Sequence, residues 1–133
     1  MSQSTPMPLI EPAIRVMMMP RDTNAHGTIF GGVILSYLDQ AGASEARKLG
    51  CTRVVTVAMD KIEFLHPVFV GDVLSFLAEV VKVGRTSVRI RVRVEAERFD
   101  PRCERVEVTS AEIVYVGVDE DRKPIPIQSK SPC

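Results

Sequence analysis

Apolar and polar positions exchange places at every second residue through much of the chain. Val88, Ile90, Val92, Val94 and Ala96 alternate with Arg89, Arg91, Arg93, Glu95 and Glu97, which is the period of a strand with one buried and one solvated face. The runs Arg53 to Phe64, Val73 to Val83, Thr86 to Arg98 and Glu104 to Val118 all read as strands. Val83-Gly84-Arg85 and Phe99-Asp100-Pro101-Arg102 supply turns between them, so the flanking strands should pair antiparallel. A shorter strand-like run, Ala13 to Met19, is halted by Pro20.

One segment breaks this rhythm. From Gly31 or Gly32 to Leu49 the pattern predicts a helix, with Arg47 and Lys48 complementing the negative pole of its last turn and Gly50 suited to the position after it. Val33, Ile34, Leu35, Tyr37, Leu38, Ala41, Ala43 and Ala46 lie almost all round it, which predicts burial over much of its circumference. The order strand, loop, buried helix, four strands favours an α+β fold in which an antiparallel sheet curls around one helix. A single sheet covers only one side of such a helix. The uncovered apolar surface and the unpaired sheet edges therefore predict at least a homodimer.

At 133 residues and 45% hydrophobic content the chain suits one core, with tails at 1–12 and 127–133 around a domain at 13–126. Seventeen basic residues balance 17 acidic ones, so there is no general field for nucleic acid and an anionic ligand must be met locally. The N-terminal residues lack the charge and apolar core of a leader, and no run approaches a membrane span, so the expected location is cytoplasmic. Cys51, Cys103 and Cys133 are widely spaced and, with only His26 and His66 beside them, suggest neither a disulfide framework nor a metal site.

The loop Pro20 to Phe30, PRDTNAHGTIF, carries Asp22, Asn24 and His26 and leads into the paired glycines Gly31 and Gly32. With no acidic residue in the first turn, the helix N–H groups stay open for a developing negative oxygen, although a tight turn that simply needs glycine explains the pair equally well. Asp39, two turns further on, is costly in an apolar helix unless it has a partner or a task as base or nucleophile. Its neighbours Gly42 and Ala43 leave room for a ligand beside it. The alternative is a buried Asp bonded to nearby backbone or to another subunit. Cys51 follows the helix C-terminus, where the dipole raises a thiol pKa, and His66, at a strand-ending turn, reads as structural. One histidine without an elbow such as GxSxG does not make a serine triad. Arg89, Arg91 and Arg93 read as a solvated face balanced by Glu95 and Glu97.

Four blocks then carry a resemblance: Asp22-Thr23-Asn24-Ala25-His26-Gly27-Thr28-Ile29-Phe30-Gly31-Gly32, Leu38-Asp39-Gln40-Ala41-Gly42-Ala43, Val54-Val55-Thr56-Val57-Ala58, and Lys82-Val83-Gly84-Arg85-Thr86-Ser87. In this order and spacing, over about Ala13 to Pro126, the chain resembles the hotdog-fold acyl-CoA thioesterases of the bacterial YciA and cytosolic acyl-CoA hydrolase type. The resemblance implies a long helix wrapped by an antiparallel sheet, two such units sharing one continuous sheet, and commonly a trimer of dimers.

It further implies hydrolysis of an acyl-CoA thioester to a free acid and CoA, without a cofactor, at a dimer interface where Asn24 of one protomer faces Asp39 of the other. Asp39 would activate water or attack the carbonyl, a backbone N–H at Gly31 or Gly32 would polarise its oxygen, and Asn24 would orient water or substrate. Gly84, Arg85, Thr86 and Ser87 would hold part of the CoA, and Val57 and its strand neighbours would pair with the pantetheine amides, although a hairpin turn and ordinary sheet pairing account for the same residues. The acyl chain would lie near Ala41, Gly42 and Phe64. His26 departs from many relatives, and acyl-chain preference is left open. Two rivals stand beside this reading. A hydratase on the same fold is suggested faintly by Asp22-x-Asn24-x-His26, and a non-catalytic acyl-CoA sensor is disfavoured by Asp39.

Overall fold

The structure, a computed structural model, describes residues 11–50 and 53–127. Cys51, Cys133 and the tail residues 1–10 and 128–133 lie outside the described residues. Strand β1 (Ile14–Met17) leads through a short 3-10 turn at Pro20–Asp22 and a loop to helix α1 (Gly31–Arg47); β2 (Arg53–Phe64), β3 (Val73–Val83), β4 (Ser87–Glu97) and β5 (Arg105–Val118) follow. The strands form one antiparallel sheet in the order β1-β3-β4-β5-β2. The turns at Gly84 and Asp100 join β3 to β4 and β4 to β5 as the alternation predicted. The placement of β2 was not legible from the same pattern: it crosses to the far side of the sheet and becomes an edge beside β5.

Alternation decides which face meets the helix. Phe76, Ile90, Val92, Val94, Ile113 and Tyr115 are fully buried on the inner face, while Arg89, Arg91 and Arg93 stand on the outer one. On α1 the buried positions are Ile34, Leu38, Ala41, Gly42 and Ala46, a stripe at helical spacing. Within one chain the sheet covers only that stripe, as expected of a single sheet, and Val33, Leu35, Tyr37 and Ala43 are only half-buried. The helix also ends two residues early. Lys48, Leu49 and Gly50 donate to carbonyls three residues back, tightening the last turn, and Gly50 leaves it at φ +148°, a conformation that suits glycine.

β2 is irregular where the other strands are regular. Its register with β5 slips between Thr56 and Ala58, leaving Val57 outside the ladder, and again between Asp60 and Glu63, where Lys61 adopts φ +54°. Among the described residues its outer edge has no strand beside it, and Val55, Val57, Ile62, Phe64 and Leu65 are exposed along it. Behind it, on the outer face, Glu112 lies under Arg89 at 3.0 Å, Arg91 at 3.4 Å and Lys61 at 3.6 Å. Burial alone would raise its carboxyl pKa, but these cations together hold it below the usual glutamate range.

The connection from β2 to β3 is fixed from several sides. Buried Asp72 accepts from the Phe69 N–H at 3.0 Å and from the Arg98 guanidinium at 2.6 Å. Arg98 also donates to the Pro67 carbonyl at 3.0 Å and stacks over the Phe69 ring. Met18 donates to the Asp72 carbonyl and accepts from the Gly71 N–H of the same loop, and the Ile29 N–H donates to the Val68 carbonyl. The loop before α1 is thereby held against the far end of β2.

Candidate active site

The loop before α1 closes on itself through Asn24. Its Oδ1 accepts from the backbone N–H groups of His26 at 2.8 Å and Thr28 at 3.2 Å, and its amide donates to Thr28 Oγ1 at 2.9 Å. Thr23 and Ile29 bridge the base of the loop, and Gly27 turns its tip at φ +85°. Asn24 in one chain thus shapes the loop and does not meet Asp39. His26 is exposed at the tip.

The loop delivers Phe30 as an N-cap whose side chain makes no capping bond, and the first turn of α1 holds no acidic residue. The Gly31 and Gly32 N–H groups have no hydrogen-bond partner among the described residues, and the positive pole of the helix adds to them. Aromatic rings explain the glycines themselves: a Cβ at Gly31 would lie 3.3 Å from the Phe64 ring and one at Gly32 would lie 2.9 Å from that of Phe30. A cleft of about 330 Å³ opens here, lined by Thr28, Gly31, Ile34, Phe64 and His66. His66, read from the sequence as structural, is exposed on the wall of this cleft.

Asp39 sits eight residues further along α1, about 12 Å by helical rise. Its Oδ1 accepts from the Thr56 hydroxyl at 2.8 Å, and the Tyr115 hydroxyl lies 2.7 Å from its backbone carbonyl and 3.1 Å from Oδ1. Oδ2 has no hydrogen-bond partner among the described residues. One carboxylate oxygen is therefore fixed in place and the other can take a proton or attack a carbonyl. Burial, then the charge of Asp39, pushes the Tyr115 hydroxyl far above its ordinary range, so it stays protonated as a donor.

Tyr115 overturns one expectation. The space beside Gly42 does not await a ligand: its hydroxyl fills it, and a Cβ at Gly42 would also meet its ring carbons at 3.0 Å. Ala43, by contrast, borders a cavity of about 790 Å³ at the far end of the helix. Tyr115 was not singled out from sequence, and Thr56 only as a member of the block Val54 to Ala58, not as a partner of Asp39. The available signal was a polar atom recurring on the inward parity of two otherwise apolar strands, level with an intrahelical carboxylate.

The β3–β4 turn keeps its four residues together. Gly84 donates to the Ser87 carbonyl at 2.7 Å, while the carbonyls of Thr86 and Arg85 accept from Gly117 at 2.9 Å and Ile127 at 2.8 Å. The turn thus rests against the end of β5, with the Arg85 side chain exposed. Val57, outside the β5 ladder, is 54% exposed on the sheet edge.

A long helix inside a curled antiparallel sheet is the hotdog architecture. The chain belongs to the thioesterase superfamily, whose family model matches residues 26–99; that span includes Gly31, Asp39 and the Gly84–Ser87 turn, and Asn24 lies just before it. It is 43% identical to the acyl-CoA thioester hydrolase YciA of Salmonella typhimurium, over 88% of this chain and 90% of that protein. A hexameric hotdog-fold thioesterase of Campylobacter jejuni superposes with a TM-score of 0.84 at 48% identity, covering 89% of this chain and 90% of that one. A hexameric broad-specificity acyl-coenzyme A thioesterase, solved with one aspartate replaced by alanine, gives 0.87 at 38% identity over 91% and 88% of the two chains.

Proposed function

We propose that this protein hydrolyses acyl-CoA thioesters to a free carboxylic acid and CoA, at a site shared by two copies of the chain. The observation that carries the reading is Asp39, with Oδ1 pinned by Thr56 and Tyr115 and Oδ2 left open. The similar YciA enzymes are acyl-CoA thioester hydrolases, and the similar solved thioesterases are hexameric, which agrees with self-association here.

The helix start is about 12 Å from Asp39, too far for both to act on one carbonyl within a chain. Two β2 edges paired antiparallel about a twofold axis reverse one helix against the other, so that Asp39 of one copy approaches Gly31, Gly32 and the Asn24 loop of its partner. The same pairing covers Val55, Val57, Ile62 and Phe64, whose exposure along an open edge is otherwise a liability.

In this site the Gly31 and Gly32 N–H groups bind the thioester oxygen as it gains charge, and Asn24 orients water or substrate through the amide hydrogen its loop leaves over. By the general-base route Asp39 Oδ2 takes a proton from water as its oxygen bonds to the acyl carbon. The C–S bond then breaks with its electron pair on sulfur, and the proton passes to the thiolate. By the nucleophilic route Oδ2 itself bonds the acyl carbon, the thiolate leaves, and water opens the anhydride. Neither route draws on a cofactor or metal. The Gly84–Ser87 turn meets part of the CoA, and Val57 lies beside the path of its pantetheine. The expected location is the cytoplasm; no helix among the described residues is long and apolar enough to cross a membrane.

Release of CoA thiol from short-, medium- and long-chain acyl-CoAs tests the reading. The native chain should release it, and Asp39→Asn should lower kcat by about 10²–10⁴-fold. A folded, acyl-CoA-binding protein that hydrolyses none of them would sink it.

A further inference from the structure

The cavity of about 790 Å³ at the far end of α1 is lined by Arg47 from the helix, Arg53 from the start of β2 and Arg122 from the segment after β5. Arg15, Arg89, Arg91, Arg93, Arg98 and Arg105 each lie within 4.0 Å of a carboxylate. Arg47, Arg53 and Arg122 make no such pair among the described residues, although Asp119 and Glu120 share the lining. The Asp119 carboxylate is engaged elsewhere, its Oδ1 accepting from the N–H groups of Asp121 at 2.8 Å and Lys123 at 2.9 Å. Three arginines from three separate elements thus line one open space, outnumbering its two carboxylates and pairing with neither within 4.0 Å, and planar guanidinium forks match phosphate oxygens.

The position fits the substrate. Ala43, on the cavity wall, is one helical turn beyond Asp39, and Val54 and Val55 lead along β2 to Thr56, which holds the Asp39 carboxylate. The β3–β4 turn, with Arg85, rests on the same end of β5 through the bond from Gly117 to Thr86. The recess therefore begins one helical turn from Asp39 on α1 and one residue from Thr56 on β2.

We propose that this cavity holds a phosphate group of the CoA moiety, as a second anion site beside the Gly84–Ser87 turn. The inference rests on the acyl-CoA reading. Its test separates the two by reading binding as well as turnover. Binding of CoA, dephospho-CoA and pantetheine would be measured by calorimetry on the native chain, on the single variants Arg47→Gln, Arg53→Gln and Arg122→Gln, and on the triple variant. The triple variant should bind CoA at least about tenfold more weakly, with pantetheine unchanged. In turnover, KM for acyl-CoA should rise with kcat held, and acyl-pantetheine should be unaffected. Loss of the difference between CoA and dephospho-CoA assigns the 3′-phosphate to the cavity; its retention, with CoA weakened, assigns the diphosphate. Equal CoA affinity in the native and triple-variant proteins, or an equal loss for pantetheine, overturns the proposal. CoA bound through these arginines without any hydrolysis would instead count against the thioesterase reading alone.

Discussion

Asp39 is held by two strands, through the Tyr115 hydroxyl from β5 and the Thr56 hydroxyl from β2. Tyr115 reaches its hydroxyl from β5 into the gap that Gly42 leaves on α1, so the glycine and the tyrosine form one device. Gly42→Ala places a methyl where the hydroxyl sits, and the ring must move with the helix; overpacking of this kind costs about 1–3 kcal/mol. Tyr115→Phe removes the donor without crowding anything and leaves Thr56 as the sole holder of Oδ1. Both should lower kcat, but only Gly42→Ala should also depress the midpoint of thermal unfolding strongly. Equal loss of stability in both would show that Tyr115 matters for packing rather than for Asp39. Asp39 itself was legible from sequence because a carboxylate among apolar helix positions demands an explanation. Its partners were not, since a tyrosine or threonine at an inward strand position is ordinarily only core. Asn24 was legible as a residue in a suspicious loop, but within one chain its three bonds go to that loop, a use that side-chain chemistry alone did not distinguish from one across an interface.

At the scale of elements, periodicity identified the helix and the strands to within two or three residues at their ends, because parity and helical spacing are local properties of the chain. Strand order is not local. β2 follows the helix and precedes β3, yet it pairs with β5, and the choice is made by the β2–β3 connection, which crosses the end of the sheet. Asp72 and Arg98 hold that connection in place, 26 positions apart, with side chains 2% and 15% exposed. Removing one member of so enclosed a pair leaves the other without its partner, which typically costs about 3–5 kcal/mol. Asp72→Ala should therefore lower the denaturant midpoint by a corresponding amount. It should also loosen the cleft at Gly31, because Val68 in the same connection accepts the Ile29 N–H. Hydrogen exchange at Ile29 reads this directly: unchanged protection would mean that the loop before α1 is held by other contacts.

For the whole molecule, the decisive question is whether one copy can act alone. The single chain offers an aspartate and an open helix start, separated by about two turns of helix and beside an open strand edge among the described residues. A shared site has an arithmetic consequence that no arrangement within one chain reproduces. Asp39→Asn and Asn24→Ala are each expected to be nearly inactive as homodimers, since every site contains one altered residue. Mixed by co-expression, half of the dimers carry one chain of each kind. In these, one site combines the intact Asp39 of the first chain with the intact Asn24 of the second, and the other site has neither. Activity should then return to about one quarter of native at equal subunit stoichiometry. Were Asn24 and Asp39 to serve the same site from one chain, every site in the mixture would remain defective and nothing would return. The readout is independent of the chemical route taken by Asp39 and of acyl-chain length, because it counts intact sites, and it requires only that the two variants fold and exchange partners during assembly.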